Sequence, residues 1–510
     1  MLRRISAVLV AGICTWTLQA AAHPAPKHPT RNSAKTVKPA QLVASTSSAK
    51  ARDLYQRAMQ DNELLYLERA MIGWRAAVKE DPLFASAFVM LAMNSRDPEE
   101  IRASRERAKE LAPKASEGEK LLIQWVSNVQ EGHDLAGIAA MNDLLAMFPR
   151  DKHLYYMAAN WLMGTRGNDQ AHRLLHKALD IDPDFAPALN NMAYLHARSR
   201  EFGEALEDMD RYVELLPSEP NPQDSYAEIS RMAGFYDVAL EHYRAALKID
   251  PNFRSSMVGL GDTYALMGAE EQARIEYDKA IQIEPDAAYR FDDRMQKAIS
   301  WVREKNYTEA DRELWRVATE AHLQSYELQE AQALRQMAQY GADDKMALER
   351  LASAKEALTH RQNLSAADRD PEHALILRLR AARATHLGAR DMAQAALNTL
   401  GEMASSSRNR VILECWHGAT GEALMAQGKF QEAIPELEED SDNPESVALL
   451  VKAYSQADAN DKSKQAEDRL RATHLPTLEQ ALAMEMDRNN HLASEPAPAD
   501  VAAGAANPQK

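Results

Sequence analysis

Two histidines have the spacing from which a metal site could be built. His172 and His176 are four residues apart, so their imidazoles would share one face of a helix, as two ligands of one ion must. Zinc proteases with this spacing place a glutamate, the general base, directly after the first histidine, but Arg173 stands there in this chain. No carboxylate or third histidine has ligand spacing nearby. We therefore expect no metal at this pair.

A thiol and an imidazole stand close together at Cys415 and His417, the two groups of a cysteine nucleophile and its base. Residues this close along a helix point in different directions, so they cannot form such a pair without another element. We expect Cys415 to be a half-buried packing residue, with intermolecular disulfide pairing as the alternative. Glycine-rich phosphate loops and nucleophile-elbow motifs are absent from the sequence, so we expect no catalytic residue and no cofactor. A solvated helix end is expected for the acidic run Glu436, Glu438, Glu439, Asp440 and Asp442.

Composition limits the elements that position these side chains. The chain has 510 residues, of which 45% are hydrophobic and 27% charged, with only 19 Gly and 2 Cys. The shortage of glycine and of alternating β-branched runs argues against sandwiches, barrels and propellers, and two cysteines cannot build a disulfide scaffold or a zinc ribbon. A formal net charge of -16 also disfavours general binding to nucleic-acid phosphates. The sequence therefore indicates a mostly helical protein with no nucleic-acid partner.

The N-terminus predicts export from the cytoplasm. Residues 1–22 combine a basic start, an apolar run and small residues up to Ala22, the pattern of a secretory signal peptide cleaved after Ala22. A retained membrane anchor and lipidation at Cys14 are the alternatives. Residues 23–50 are rich in Pro, Ala, Lys, Ser and Thr and are expected to form a flexible tether. The prediction is a periplasmic or secreted protein with no integral membrane segment after cleavage.

A 34-residue repeat organises much of the chain. Prolines recur at this interval, and alanines recur with them, twelve residues before the last four prolines. Each window contains two amphipathic helical patterns separated by a turn, and the proline ends the second helix because its ring clashes with the preceding turn. One helix pair cannot bury both of its faces, so successive pairs must stack. The repeated positions are Pro149, Pro183, Pro217, Pro251 and Pro285, with Ala171, Ala205, Ala239 and Ala273.

Residues 254–287 resemble a tetratricopeptide repeat. Seven of the eight signature positions of that family are filled, and Met257 replaces the usual tryptophan. The resemblance implies an all-α fold, a right-handed superhelical α-solenoid of tetratricopeptide-like helix pairs. We predict a regular N-terminal array over 51–285, a divergent C-terminal array over 286–485 and a disordered tail over 486–510. The signature residues are Leu260, Gly261, Tyr264, Ala273, Tyr277, Ala280 and Pro285.

Beyond Pro285 the period loosens. The equivalent alanines of the second helices are 37, 37, 46, 40 and 33 residues apart, and the signature prolines disappear. Longer loops are expected at 359–370 and 404–410. The alanines that mark these units are Ala273, Ala310, Ala347, Ala393, Ala433 and Ala466.

In the family that this chain resembles, the first helix of each pair lines a concave groove that binds extended peptides or a partner's helix. Carrying the family's inward-facing positions onto this chain gives a candidate groove for a peptide or partner protein. Asparagine amides can donate to and accept from a peptide backbone, and tyrosine offers apolar area with a polar tip. The candidate residues are His153, Tyr156, Asn160, Asn190, Asn191, Tyr194, Arg198, Asp224, Glu228, Arg231 and Asp262.

An alternative is open for several of these residues. Asn160 and Asn191 could satisfy neighbouring backbone, and Tyr156 and Tyr194 could pack between helices. The family's clamp for a C-terminal carboxylate needs a lysine at the position of Tyr156 and its equivalents in the next units. That specific ligand is therefore not expected.

These features predict a non-enzymatic protein–protein interaction scaffold, exported to the periplasm or cell envelope, that holds a peptide or partner protein in its groove. The helix pairs account for nearly every ordered residue and leave no segment of about 100 residues for a separate catalytic domain. The alternatives are a structural envelope-assembly component that acts through its acidic outer face, and a carbohydrate-binding enzyme subunit. The sequence does not identify the partner.

Overall fold

The computed structural model describes residues 41–164, 167–360, 364–484 and Met486. Within these residues the chain forms α-helices and a short 3-10 turn, and no strand. None of the helices in this part of the chain has the length and apolarity needed to cross a lipid bilayer. The predicted signal peptide, the predicted tether up to residue 40 and the predicted tail from residue 487 lie outside the described residues.

Twenty-four α-helices follow one another between Ala49 and Arg471. The first fourteen are α1 (Ala49–Glu63), α2 (Leu67–Glu80), α3 (Ala85–Asn94), α4 (Pro98–Leu111), α5 (Glu117–Gln130), α6 (Asp134–Met147), α7 (Lys152–Met163), α8 (Asn168–Ile181), α9 (Ala186–Arg198), α10 (Phe202–Leu215), α11 (Pro220–Met232), α12 (Tyr236–Ile249), α13 (Arg254–Leu266) and α14 (Glu270–Ile283). The remainder are α15 (Ala287–Arg303), α16 (Tyr307–Gln324), α17 (Glu327–Tyr340), α18 (Asp344–Ala357), α19 (Ala366–His386), α20 (Arg390–Ser406), α21 (Arg410–Ala426), α22 (Phe430–Glu438), α23 (Pro444–Gln456) and α24 (Asn460–Arg471).

Consecutive helices pair, and the pairs stack in chain order. We call the odd-numbered first helix of each pair the A helix and the even-numbered second helix the B helix. From α6 to α14 the B helices begin at residues 134, 168, 202, 236 and 270, so the 34-residue period of the sequence is the period of the structure. Each of these B helices ends two residues before a repeat proline, as predicted. The predicted all-α solenoid of helix pairs is confirmed.

Small residues allow the two helices of a pair to approach closely. In α13, a Cβ atom added to Gly261 would lie 2.5 Å from Cε1 of Tyr277 in α14, so only glycine fits opposite this buried ring. The signature glycine and tyrosine are therefore one packing contact. The repeat alanines of the B helices are likewise without exposed surface: Ala171, Ala205, Ala239 and Ala273.

Longer helices explain the loosened period beyond Pro285. Helices α15, α20 and α21 have 17 residues, against 13 in α9, α11 and α13, which is about one additional turn. The loops predicted at 359–370 and 404–410 are shorter than expected. Ser365 caps α19, which begins at Ala366, and only residues 407–409 connect α20 with α21.

Early and late helix pairs contact each other across the solenoid. The guanidinium of Arg96, after α3, pairs with the carboxylate of Asp292 in α15. The backbone N–H of Arg408, before α21, donates to Oδ2 of Asp134 in α6 at 3.3 Å. These contacts join residues about 200 or more positions apart. The side of the A helices that faces inward is therefore partly enclosed by distant parts of the same chain.

Residues 41–48, which the sequence assigns to the tether, lie against the array, and we call them the N-terminal segment. The backbone N–H of Leu42 donates to Oδ2 of Asp151 at 2.8 Å, and that of Ser45 donates to Oε1 of Glu119 at 2.9 Å. Both carboxylates belong to the N-terminal ends of A helices, α7 and α5. This part of the predicted tether is bound to the array.

Candidate peptide-binding groove

His153 and Tyr156 of α7 form the first part of the predicted groove, and each of them contacts a neighbouring element. His153 pairs with Glu63 of α1, with 2.5 Å between Nδ1 and Oε1. Burial lowers the pKa of His153, but the Glu63 carboxylate outweighs this effect and raises it. Tyr156 packs edge-on against Phe185, with ring centroids 5.7 Å apart. Tyr156 therefore takes the packing role that the sequence left open for it.

A ladder of polar side chains, 34 residues apart, runs along the A helices. Asn160, Tyr194, Glu228 and Asp262 hold equivalent positions in successive units. Tyr194 donates to Oε2 of Glu228 at 2.7 Å. Asp262 accepts from the Gln296 amide at 2.9 Å, and Gln296 is the next residue of the same 34-residue series. The sequence prediction missed Gln296 because it stopped where the proline period stops; one more step of 34 residues finds it.

The ladder and its neighbours are largely enclosed. Asn190, Asn191 and Tyr194 expose 6%, 7% and 7% of their surface. The Asn191 amide is 3.5 Å from the Oδ1 of Asn160, and the Oδ1 of Asn190 is buried without a hydrogen-bond partner. Asn160 and Asn191 thus contact each other through their side chains, whereas the alternative left open for them was a bond to neighbouring backbone.

Arg198 and Asp224 lie in the same enclosed region. Arg198 donates to the main-chain carbonyl of Met163, and burial lowers the pKa of Arg198 to about 10. Asp224 accepts from the hydroxyl of Ser256 at 2.6 Å, and burial raises the pKa of Asp224 to about 7. Asp224 is 5% exposed and is therefore part of the interior, whereas Arg198 is half-buried.

Beyond these residues the groove is occupied by the chain's own C-terminal portion. Residues 472–484, which we call the C-terminal strap, leave α24, run without regular structure to Thr477 and are helical from 478. Four consecutive main-chain carbonyls of the strap accept hydrogen bonds from A-helix side chains. The donor and acceptor pairs are Arg231 to His474 at 3.5 Å, Arg303 to Leu475 at 3.5 Å, Gln296 to Pro476 at 2.6 Å and Arg303 to Thr477 at 3.3 Å.

We define the A-helix groove by the residues that meet the strap or support those that do: Tyr194, Glu228, Arg231, Asp262, Gln296 and Arg303. Arg231 also pairs with Glu228 at 3.2 Å, which connects the ladder to the strap. The sequence prediction placed four of these six residues in the groove. It assigned the strap to the array itself, although Pro476 signals a break in the helical pattern.

Side chains fix the strap at three points. The Nδ1 of His474 is 2.7 Å from the hydroxyl of Tyr236. Leu478 is 2% exposed and packs in a cluster with Ile299 and Val302 of α15. Glu479 accepts from the Gln339 amide, and the same amide donates to Glu445 of α23, both at 3.2 Å. The strap therefore connects the middle of the solenoid with its last helix pairs.

The candidate chemistry outside the groove is accounted for by packing and pairing. The rings of His172 and His176 are 4.4 Å apart and His196 lies 5.8 Å from His172, so a third histidine is nearer than the sequence spacing indicated. His196 pairs with Asp208 at 3.0 Å. Even so, within the described residues no group of three such side chains is arranged to hold a metal ion.

Cys415 is buried rather than half-buried, and burial raises the pKa of its thiol to about 12. His417 pairs with Glu436 at 2.7 Å, so the imidazole is engaged elsewhere. The acidic run that follows is not simply a solvated helix end, because Asp440 is 1% exposed and pairs with the Arg378 guanidinium at 2.6 Å.

The fold and the groove define a class: an α-solenoid of tetratricopeptide-like helix pairs, a fold that supports a protein–protein interaction scaffold. The chain matches the tetratricopeptide repeat family model over residues 255–287.

Curated relatives share a part of the chain. Protein O-mannosyl-transferase TMTC1 of Mus musculus is 24% identical over 173 residues, 32% of this chain and 18% of that protein. The UDP-N-acetylglucosamine–peptide N-acetylglucosaminyltransferase of Giardia intestinalis is 25% identical over 122 residues, 24% of this chain and 8% of that protein. The chain thus spans less than a fifth of the length of these two relatives.

Solved structures are also similar to this chain at low identity. The APC/C hetero-tetramer Cut9-Hcn1 is 17% identical with a TM-score of 0.40, over 82% of this chain and 76% of that chain. MamA is 19% identical with a TM-score of 0.27, over 33% of this chain and 95% of that chain.

Proposed function

We propose that this protein is a non-enzymatic interaction scaffold, exported to the periplasm or cell envelope, that holds an extended segment of a partner protein in its A-helix groove. The observation that supports this proposal is the strap: side chains of the groove already bind four consecutive main-chain carbonyls of a stretch without helix or strand structure. Main-chain carbonyls are present in every protein segment, so the same donors suit a partner as well as the strap.

The chemistry of Arg303 and Gln296 suits them to bind main-chain carbonyls. Each terminal nitrogen of a guanidinium carries two hydrogens, and the Nη2 of Arg303 donates to two carbonyls two residues apart. The Gln296 amide is oriented by Asp262, which accepts one of its hydrogens while the amide also donates to the strap. An oriented donor loses less conformational freedom on binding.

The absence of catalysis that we propose is supported by the pairing of the groove carboxyls and by the burial of Cys415. The buried groove carboxyls have partners: Asp224 accepts from Ser256, and Glu228 accepts from Tyr194 and Arg231. The thiol of Cys415 is buried with a raised pKa, so little of it is the reactive thiolate near neutral pH. These groups stabilise the solenoid.

Export is tested by the N-terminus of the mature protein. N-terminal sequencing of the chain purified from an envelope or periplasmic fraction is expected to start at His23. An intact Met1 on a chain recovered from the cytoplasm would contradict this proposal. The alternatives of a retained anchor and of lipidation at Cys14 both predict a membrane-bound product, which fractionation separates from a released one.

Partner binding is tested by photo-crosslinking in the intact chain. A photoreactive residue replaces Tyr236, which contacts the strap, or Trp315, which is 48% exposed on B helix α16 and serves as the matched control. We expect a specific partner adduct from position 236 and none from position 315. Adducts from position 315 alone would contradict the groove and favour an assembly component that acts through its outer face.

A further inference from the structure

One part of the recognition of the strap is independent of its side chains. The hydrogen bonds to His474, Leu475, Pro476 and Thr477 all go to main-chain oxygens, and the proline supplies an acceptor without needing a partner for an N–H group. A different extended segment in the same place presents the same row of acceptors.

Several of these contacts are weak. Three of the four carbonyl bonds, all from arginines, measure 3.3 to 3.5 Å, beyond the usual range for an N–H···O bond. Arg231 Nε and Gln480 Oε1 are buried without a hydrogen-bond partner. Buried polar groups in folded proteins are rarely unpaired, so a ligand that reached Arg231 Nε, and that carried no unpaired polar group at the position of Gln480, would gain over the strap.

Charge adds a further unfavourable contact. Glu479 of the strap and Glu445 of α23 accept from one amide, that of Gln339. Burial and, to a smaller extent, the nearby charge of Glu479 raise the pKa of Glu445 to about 7. Arg335 attracts Glu479 in return, but its guanidinium is already paired with Glu372 at 2.5 Å.

The strap follows the helix pairs in the chain, so its release does not require a helix pair to separate. It follows the last helix pair, so no later helix pair among the described residues depends on it. Its release from Ala472 onward also breaks the bond at 3.1 Å from Arg200 to the main-chain carbonyl of Ala472. The buried side chain of Leu478 would then leave its cluster with Ile299 and Val302. A competing segment must place an apolar side chain there to compensate.

We propose that the C-terminal strap is an internal, displaceable ligand of the A-helix groove, and that the partner which displaces it is an extended protein segment with a leucine-like residue two positions after a proline, followed by an acidic residue. This inference rests on the proposed function and adds its regulation. Because the strap is attached, it acts at a high effective concentration and lowers the apparent affinity for any partner.

The test uses the full chain and a fluorescent peptide with the sequence of residues 472–484. In the variant Leu478→Asp the strap is weakened, and the matched control Leu323→Asp changes a leucine that is 75% exposed on α16. We expect Leu478→Asp to bind the peptide at least tenfold more tightly than the unmodified chain or the control. Adding Arg303→Ala to Leu478→Asp should reverse this gain at least tenfold.

Two results would overturn the inference. One is a Leu478→Asp chain with unchanged helicity that binds the peptide no better than the control. The other is peptide binding that survives Arg303→Ala. If Leu478→Asp does not fold, hydrogen exchange in the unmodified chain decides: saturating peptide should accelerate exchange at 473–480 and leave α15 unchanged, and no acceleration would contradict displacement.

The same variants separate this inference from the proposed function. If a partner is captured from position 236 equally well in the unmodified chain and in Leu478→Asp, the interaction scaffold stands and the regulatory strap does not. If no partner is captured in either chain while the peptide binds in trans, the groove is a site for the strap alone.

Discussion

The N-terminal segment and the C-terminal strap both cross successive A helices, but the protein binds them with opposite chemistry. The first is held by carboxylates that accept from its N–H and hydroxyl groups, at Asp81, Glu119 and Asp151. The second is held by arginine and amide groups that donate to its carbonyls. Glu119 and Asp151 lie at the N-terminal ends of α5 and α7, and Arg231 and Arg303 lie at the C-terminal ends of α11 and α15, as the helix dipole favours. Asp81 differs, because it follows the C-terminal end of α2.

The difference separates a structural contact from a binding contact. Glu119 has no exposed surface, accepts from Ser86 at 2.7 Å and completes the capping box of α5 with Ser116. The N-terminal segment thus shares a carboxylate that the helix pairs need for themselves. Gln296 and Arg303 close no helix end by a side-chain cap, and their bonds to the strap are additional to the array.

Replacing Glu119 should give the largest effect. Glu119→Ala leaves the hydroxyls of Ser86 and Ser116 and the N–H of Ser45 without their acceptor, so we expect a loss of about 3 kcal/mol in the free energy of unfolding. Urea unfolding, followed by the fluorescence of the buried Trp125 in the same helix, measures it. The control Glu117→Ala, with a side chain 76% exposed, should cost about 0.5 kcal/mol or less. Equal effects of the two would remove the distinction between the segments.

Truncating Leu478 should have a large but local effect. Leu478→Ala is expected to lower the stability of the strap by about 2 kcal/mol, which is about a 30-fold faster hydrogen exchange at 473–480. Exchange in α5 should not change. Leu323→Ala is the control, and a loss of protection spread over the whole chain would mean that the strap is part of the core.

The sequence predicted more of the fold than of the groove. Repeated prolines and alanines identify each B helix, and the alanines still do so where the prolines are gone, as Ala310 and Ala433 show with 0% exposure. The ladder neighbours Tyr194 and Glu228 were found in the same way. The burial of this region did not follow from the repeat. It depends on contacts such as that between Arg231 and His474, which are 243 residues apart and outside the 34-residue period.

Removing the Gln296 amide should give a moderate effect. Gln296→Ala deletes the 2.6 Å bond to Pro476 and the bond to Asp262, and we expect the strap to lose about 1 kcal/mol of stability. Hydrogen exchange at 473–480 measures the loss. Gln394→Ala, at an exposed amide in α20, is the matched control. No change for Gln296→Ala would show that side-chain packing alone holds the strap.

The smallest expected effect is that the C-terminal strap and the N-terminal segment respond to pH in opposite directions. The raised pKa of Glu445 means that the folded state binds more protons, so the strap should become less stable as pH rises from about 4.5 to about 7. Burial alone would raise the pKa of Glu119, but hydrogen bonds from Ser45 and others hold it below its ordinary value. Stabilisation through Glu119 is therefore present above about pH 4.5 and is lost as pH falls through the folded pKa. The charged groups that act most on Glu445 are Glu479, Arg378 and Glu422.

Hydrogen exchange, corrected for the intrinsic rate at each pH, separates the two responses. Protection of 473–480 should be greater at pH 5 than at pH 7.5, whereas the N-terminal segment should keep its protection between these values. Parallel behaviour of both segments would indicate a global change in the solenoid instead.

The central claim is that the A-helix groove holds an extended segment by its main chain, and the most direct test is to map such a segment. A peptide of residues 472–484 with a photoreactive group in place of Leu478 is added to the full-length Leu478→Asp chain, and the adducts are located by mass spectrometry. The account predicts adducts on α15 at Ile299 or Val302, which disappear with Arg303→Ala. Adducts on B helices other than α16, whose Ala310 lies in the same cluster as Leu478, or adducts on α15 that Arg303→Ala leaves unchanged, would contradict it.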